Sequence, residues 1–271
     1  MSSTLVITGA SSGIGRALAL ELAQPGMTLC LLARRREELE ILAKEIEERG
    51  AIAVVVPIDL SVRGQLQDFL DKQLESTPVI DEVYHCAASS SFGAVDQFSA
   101  KDWSELYKVN ILSATDVISV LYRQMAAQGH GRLVLVSSLA GCTGYPMATP
   151  YTAMKEGVIG IYRSLRHETS YYGVKLHLVI PGFVKTSIYE KAMYRGCNES
   201  STMESIAKLG FPMISSEQAA IAIREGIERG KACIIFPFYA RILTFIAPWM
   251  PFVLALFYRK ILASYRGSDS S

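Results

Sequence analysis

Apolar residues recur along this chain with two periods. Short runs such as TLVIT, TLCLLA and AIAVVVP are nearly unbroken in valine, leucine and isoleucine, the pattern of strands buried on both faces. Between them lie longer stretches whose apolar positions return every three or four residues, the signature of a helix with one face on a core. TLVITG leads to SGIGRALALELAQPG, which Pro25 and Gly26 terminate. MTLCLLAR leads to REELEILAKEIEERG, and AIAVVVPIDL to SVRGQLQDFLDKQLEST. VIDEVYHCAAS precedes a helical region from about Ser99 to Gln128, and GRLVLVSS precedes a helix opening with TPYTAMKEG. VKLHLVIPG and KACIIFPF complete seven strands. Parallel strands need crossovers, so the alternation predicts a doubly wound α/β fold with a seven-stranded parallel sheet and helices on both faces. Ligands of such folds sit at the carboxyl ends of the strands, near the reversal in strand order.

The chain has 271 residues, half of them hydrophobic, enough for one large core. Residues 1–237 read as one domain of this α/β type, 238–266 as a hydrophobic C-terminal extension, and 267–271 as a disordered tail. With 27 basic and 26 acidic residues the formal charge is +1, which argues against nucleic acid as a partner. The five cysteines (Cys30, Cys86, Cys142, Cys197, Cys233) show no CxxC spacing and read as reduced and buried. A strand starts almost at once, so no secretory signal is expected and the location reads as cytoplasmic. His85 and Cys86 have no third ligand at a recognisable spacing, and no metal site is expected.

Two stretches carry candidate chemistry. Gly9, Gly13 and Gly15 fall between the first strand and the first helix, where glycine permits a tight turn and a close approach to a pyrophosphate. Tyr151 and Lys155 lie one helical turn apart on one face, so an ammonium can act on a phenol. Either could be structural: a plain glycine-rich turn, and a helix surface.

The spacing G-x-x-x-G-x-G resembles the TGxxxGxG signature of the short-chain dehydrogenase/reductase family, and further motifs agree from Thr8 to about Pro237. The resemblance implies a nicotinamide cofactor at Gly9, Ser11, Ser12, Gly13, Ile14 and Gly15. It implies further cofactor contacts at Asp59 and Leu60, Ala87, Pro181 and Gly182, Val184 and Thr186. Asp59 could equally cap the next helix. At the end of the second strand Ala33 stands where an acid would bind the ribose of NAD, with Arg34 and Arg35 next. A guanidinium suits a 2′-phosphate, so NADP is expected, through Arg34 above all.

The resemblance also implies catalysis by Ser138, Tyr151 and Lys155, with Asn110 completing a proton path; Tyr151 and Lys155 also hold the nicotinamide ribose. Where the family commonly has NNAG this chain has HCAA, His85 to Ala88, which puts cofactor affinity in question and leaves open a non-catalytic nucleotide-binding protein. A serine hydrolase using Ser138 lacks the G-x-S-x-G elbow. Phe92, Cys142, Tyr145, Met147 and Phe183 are expected to face a lipophilic substrate, with 187–211 as a lid. The resemblance further implies a homodimer or homotetramer.

Between Arg241 and Arg259 lie 17 uncharged residues broken by Pro248 and Pro251. At about 1.5 Å per residue they would span roughly 25 Å, short of a bilayer core of about 30 Å. Trp249, Phe252, Phe257 and Tyr258, with Arg259, Lys260 and Arg266, fit an element lying in a membrane interface. Packing against a partner subunit or over the substrate pocket are the alternatives.

Overall fold

Side chains of successive strand residues point to opposite faces, and the sheet divides its core accordingly. The computed structural model describes residues 3–76 and 79–266. Its strands are β1 (Thr4–Thr8), β2 (Thr28–Ala33), β3 (Ile52–Pro57), β4 (Glu82–His85), β5 (Gly131–Val136), β6 (Val174–Pro181) and β7 (Cys233–Phe236). All pair in parallel, in the order β3-β2-β1-β4-β5-β6-β7. On one face Val6, Cys30 and Leu32 join a core with Phe69, Val117 and Val158. On the other, Leu5, Ile7, Leu29 and Leu31 join Leu18, Leu42 and Ile223. The doubly wound α/β fold expected from the alternation is the one that forms.

The first face is covered by α3 (Gln65–Ser76), the helical region 100–128 that begins with α4 (Ala100–Tyr107), and α5 (Thr149–Thr169). The second is covered by α1 (Gly13–Leu22), α2 (Arg36–Glu47) and, after α6 (Glu199–Ala207), α7 (Ser216–Glu228). Strand order reverses between β1 and β4, so the turn after β1 and the chain after β4 flank one crevice.

Two features position the site. A reciprocal capping box between Ser99 and Asp102 starts α4. The region then contains a π turn at Lys108–Leu112, which carries Asn110. The second feature is the C-terminal extension: α8 (Phe238–Ile246) and α9 (Pro251–Arg266) are separate helices, broken where Pro248 and Pro251 forbid a continuous ladder. No helix among the described residues is long and apolar enough to cross a membrane. Ala240 of α8 is fully buried in the main core, so the extension packs onto the sheet domain. The side chains of Phe257, Lys260 and Arg266, and the expected tail at 267–271, lie outside the described residues.

The expectation of buried cysteines needs correction. All five are free, but only Cys30 is buried; Cys233, at the start of the edge strand β7, is exposed.

Candidate active site

The turn after β1 is held against the chain after β4 by backbone contact. Gly9 and Gly13 have φ of 68° and 56°. A Cβ on Gly9 would lie 2.9 Å from the Ala87 backbone, and one on Gly15 2.5 Å from the Gly9 carbonyl oxygen. Only glycine fits at either point, and the helix N-terminus opens onto a groove. Gly9, Ser11, Ser12, Gly13, Ile14 and Gly15 border that groove; so do Arg34, Arg35, Asp59, Leu60, Ala87 and Thr186.

Arg34 and Arg35 both border this groove, and Arg35 is the one tied to the glycine turn. Its Nη2 donates to the Ser11 hydroxyl at 2.9 Å and to the Ser11 carbonyl at 3.3 Å. Arg34 is exposed at the groove edge. Asp59 accepts through Oδ1 from the Ser61 amide (2.9 Å) and hydroxyl (2.7 Å), closing a local turn rather than capping α3, which starts only at Gln65, and it also borders the groove.

His85 fills the position at which the sequence departs from NNAG. The Thr8 hydroxyl accepts from the Cys86 and Ala87 amides at 3.1 and 3.2 Å. Its own proton is therefore available to His85 Nδ1, 2.9 Å away. That leaves the proton of the imidazole on Nε2, 3.4 Å from the Ser113 hydroxyl, which in turn donates to the Val109 carbonyl at 2.5 Å. Burial, and secondarily the charge of Lys155, pushes the His85 pKa down to about 3, so the ring stays neutral. The departure therefore keeps a brace between β1, β4 and the π turn.

Asn110 on that turn donates through Nδ2 to the carbonyls of Ser89 and Leu106, both at 2.9 Å, and accepts from the Ser89 amide at 3.3 Å. Leu106 is four residues back, so the side chain caps a carbonyl where the π turn loosens the main-chain ladder.

At the catalytic end the two adjacent serines divide the work. Ser137 is buried and donates to the Lys155 carbonyl at 2.7 Å, fixing α5 to the end of β5. Ser138 faces the cavity, as do Tyr151 and Lys155. Lys155 is nearly fully buried; its Nζ donates to the Val136 carbonyl at 3.0 Å and lies 5.9 Å from the centre of the Tyr151 ring. Burial lowers the Lys155 pKa to about 8, with Cys86 opposing slightly. Burial also pushes Tyr151 up to about 12, against a hydrogen bond with Ser138 that pulls it down. Neighbouring acid and ammonium are thus both displaced, the mark of a site built for proton transfer.

The cavity in front of Tyr151 is mainly apolar and meets the groove at Ile14, Cys86 and Thr186. Phe92, Tyr145 and Phe183 border it as the sequence suggested; Pro181, Gly182 and Val184, expected as cofactor contacts, also border this cavity rather than the glycine-lined groove. Cys142 does not: it packs into the main core. Met147 is likewise absent from the lining and adopts φ of 64°, its carbonyl accepting from Gly93 at 2.6 Å. The segment 187–211 folds over the cavity with Tyr189 and Leu209, and its strand Met193–Arg195 pairs with Ser91–Gly93. Arg195 anchors it to Asp102, whose carboxyl is held well below the usual range.

The C-terminal extension supplies a wall of the cavity, one of the readings its sequence left open, through residues the sequence did not single out as lining. Leu243, Leu254 and Tyr258 line the cavity. The Tyr258 hydroxyl reaches the Gly144 carbonyl at 2.6 Å and the Thr143 hydroxyl at 3.0 Å, and its ring meets Tyr145 edge-on at 6.0 Å. Tyr239 accepts from the Phe183 amide at 2.7 Å. Of the three roles open to this segment, covering the pocket is the one these contacts make. Which of its residues face inward was hidden in a run apolar on every side.

Residues 3–194 match the profile of the short chain dehydrogenase family. A 3-oxoacyl-(acyl-carrier-protein) reductase of Thermotoga maritima is 31% identical over 76% of this chain and 84% of its own. Nodulation protein G of a Rhizobium species is 31% identical over 69% and 75%. Among solved structures, a short-chain dehydrogenase from Sphingobium yanoikuyae in complex with NADPH superposes with a TM-score of 0.76 at 25% identity, covering 88% of this chain and 89% of that one. A Burkholderia phymatum relative in complex with NAD gives 0.79 at 24% identity over 94% and 92%, a likeness of fold. The glycine turn, the Ser138–Tyr151–Lys155 cluster, the seven-stranded sheet and these matches agree: this chain belongs to the short-chain dehydrogenase/reductase family of oxidoreductases.

Proposed function

We propose that the protein is an NADPH-dependent oxidoreductase interconverting a ketone or aldehyde and an alcohol on a lipophilic substrate of steroid, retinoid, sphingoid or fatty ketone type. The observation that carries this reading is one apolar cavity holding Ser138, Tyr151 and Lys155 and opening into the glycine-lined groove. The cavity supports a lipophilic substrate because Phe92, Tyr145, Phe183, Leu243 and Leu254 offer no charge to a phosphate or carboxylate. Arg35 at the Ser11 lip, with Ala33 where a carboxylate would sit, supports NADPH over NADH.

The groove fits a dinucleotide: its glycines leave no room for side chains, and Arg35, Asp59 and Thr186 border it. Bound there, the nicotinamide cofactor supplies the hydride that reduces the carbonyl carbon. The protein's part is the proton and its placement. Ser138 donates a hydrogen bond to the substrate oxygen and fixes its distance from Tyr151. Tyr151, with its pKa pushed up to about 12, keeps its proton throughout the neutral range and gives it to the oxygen as negative charge develops there. An alkoxide is more basic than a phenolate, so this transfer runs downhill. Lys155, positive below about pH 8, stabilises the phenolate left behind, and Val136 and Ser137 hold it in place.

The test is NADPH oxidation against steroid, retinoid, long-chain and small aromatic ketones, with detergent present and Tyr151→Phe as control. Turnover that falls by about a thousandfold in the variant, with NADPH binding kept, is the expected result. Tight NADPH binding without turnover of any member would instead favour a nucleotide-binding regulatory protein.

A further inference from the structure

A helix covering a cavity is expected to turn a polar face to solvent. The two C-terminal helices do the opposite. On α8, Phe238, Ile242 and Phe245 recur at helical spacing and are exposed, Phe245 to 75%. On α9, Phe252 and Leu256 do the same, and Trp249 in the turn between the helices is 77% exposed. The inner faces of both helices supply Leu243, Leu254 and Tyr258 to the same cavity, so both outer faces lie on its far side. Exposed rows of large apolar side chains flanked by charge mark an interaction site.

The charge on this surface selects the occupant. From Gly230 to Ser268 the sequence contains no aspartate or glutamate, yet it holds Lys231, Arg241, Arg259, Lys260 and Arg266. Arg241 and Arg259 are exposed on the same helices as the apolar row. A second copy docking face to face would bring these cations together with no acid to meet them. An anionic lipid headgroup layer meets them with phosphate while Trp249 and the phenylalanines enter the acyl boundary.

We propose that α8 and α9 form a docking face for an anionic lipid surface, seating the protein with the apolar wall of its substrate cavity against the bilayer. The docking itself does not depend on the proposed reductase activity. Only its corollary does: that the substrate is a lipid reaching the cavity from the membrane past Leu243 and Leu254.

Trp103→Phe leaves Trp249 as the sole tryptophan of the full chain. This protein is titrated with phosphatidylcholine vesicles and with vesicles that also contain phosphatidylglycerol. The expected outcome is co-sedimentation with the anionic vesicles, a blue shift of Trp249 emission and its quenching by bromine-labelled acyl chains. Phe245→Ser with Phe252→Ser, and separately Arg241→Glu with Arg259→Glu, each weaken vesicle binding at least about tenfold. These side chains do not line the cavity, so turnover of a small soluble ketone without vesicles, where detected, stays within about twofold of the parent. Absence of co-sedimentation, Trp249 emission unchanged on bound vesicles, or a dimer in solution lost in the Phe245→Ser, Phe252→Ser variant would each overturn the proposal. Vesicle binding by a protein without turnover would sustain the docking and sink the reductase reading alone.

Discussion

Replacing Lys155 by methionine should make the cofactor-free protein more stable while ending its turnover. The lysine is 97% withdrawn from solvent, being 3% exposed, and burial lowers its pKa from 10.5 to about 8. A folded-state pKa below the unfolded one means that folding expels the proton, so the charged form opposes folding. The cost is fully present below about pH 8 and is relieved as pH rises from about 8 towards 10.5. At pH 7 a shift of about 2.5 units corresponds to about 3 kcal/mol. Methionine matches the lysine stem but leaves the Val136 carbonyl, now 3.0 Å from Nζ, without its donor, which returns about 1 kcal/mol. The net gain is about 2 kcal/mol at pH 7, falling to about zero at pH 10, where most of the wild-type penalty has gone.

Urea unfolding of both proteins at the two pH values measures this directly, because groups common to both cancel in the difference. Loss of stability in Lys155→Met at pH 7, or an equal difference at pH 7 and pH 10, would refute the reasoning. The first outcome would mean that the Val136 contact outweighs desolvation, the second that the ammonium is not held against its own solvation.

Two further outcomes follow from the groove. Arg35→Ala should weaken NADPH binding at least about tenfold and NADH binding less than twofold, measured by nucleotide fluorescence titration, because a forked, charge-assisted contact to a 2′-phosphate is lost; Arg34→Ala should have the smaller effect, since Arg34 makes no contact with the glycine turn comparable to that of Arg35 with Ser11. His85→Leu should cost about 2 kcal/mol in urea unfolding, leaving the buried Thr8 and Ser113 hydroxyls short of a partner, whereas His85→Asn, which keeps a donor and an acceptor, should lose less.

The sheet and its layers were legible because burial on both faces writes apolar runs, as in β1 and β2, every residue of which is buried. The glycine turn was legible for a related reason: its backbone contacts admit one residue type, so the sequence must show it. The choice between Arg34 and Arg35 was not, since it depends on which side chain the start of α2 turns toward Ser11. Cys142 was misjudged because the short helix Ala140–Thr143 rotates it into the core while its neighbour Thr143 reaches the cavity. Both cases turn on side-chain direction over one or two residues, which a one-dimensional pattern does not carry.

The HCAA departure shows the complementary case, in which the motif is lost and its work is kept. A buried position facing Thr8 on one side and Ser113 on the other needs a side chain able to accept at one end and donate at the other. Neutral imidazole does so through Nδ1 and Nε2, and the adjacent Thr8 hydroxyl dictates which nitrogen carries the proton. Protonation would destroy that pairing, and burial with Lys155 nearby prevents it by pushing the ring pKa down to about 3. Lys155 thus adds to the burial that keeps His85 neutral, while the Thr8 hydroxyl sets the tautomer that steadies the turn carrying Asn110. The buried cation that opposes folding by its own desolvation therefore also helps to keep that brace intact.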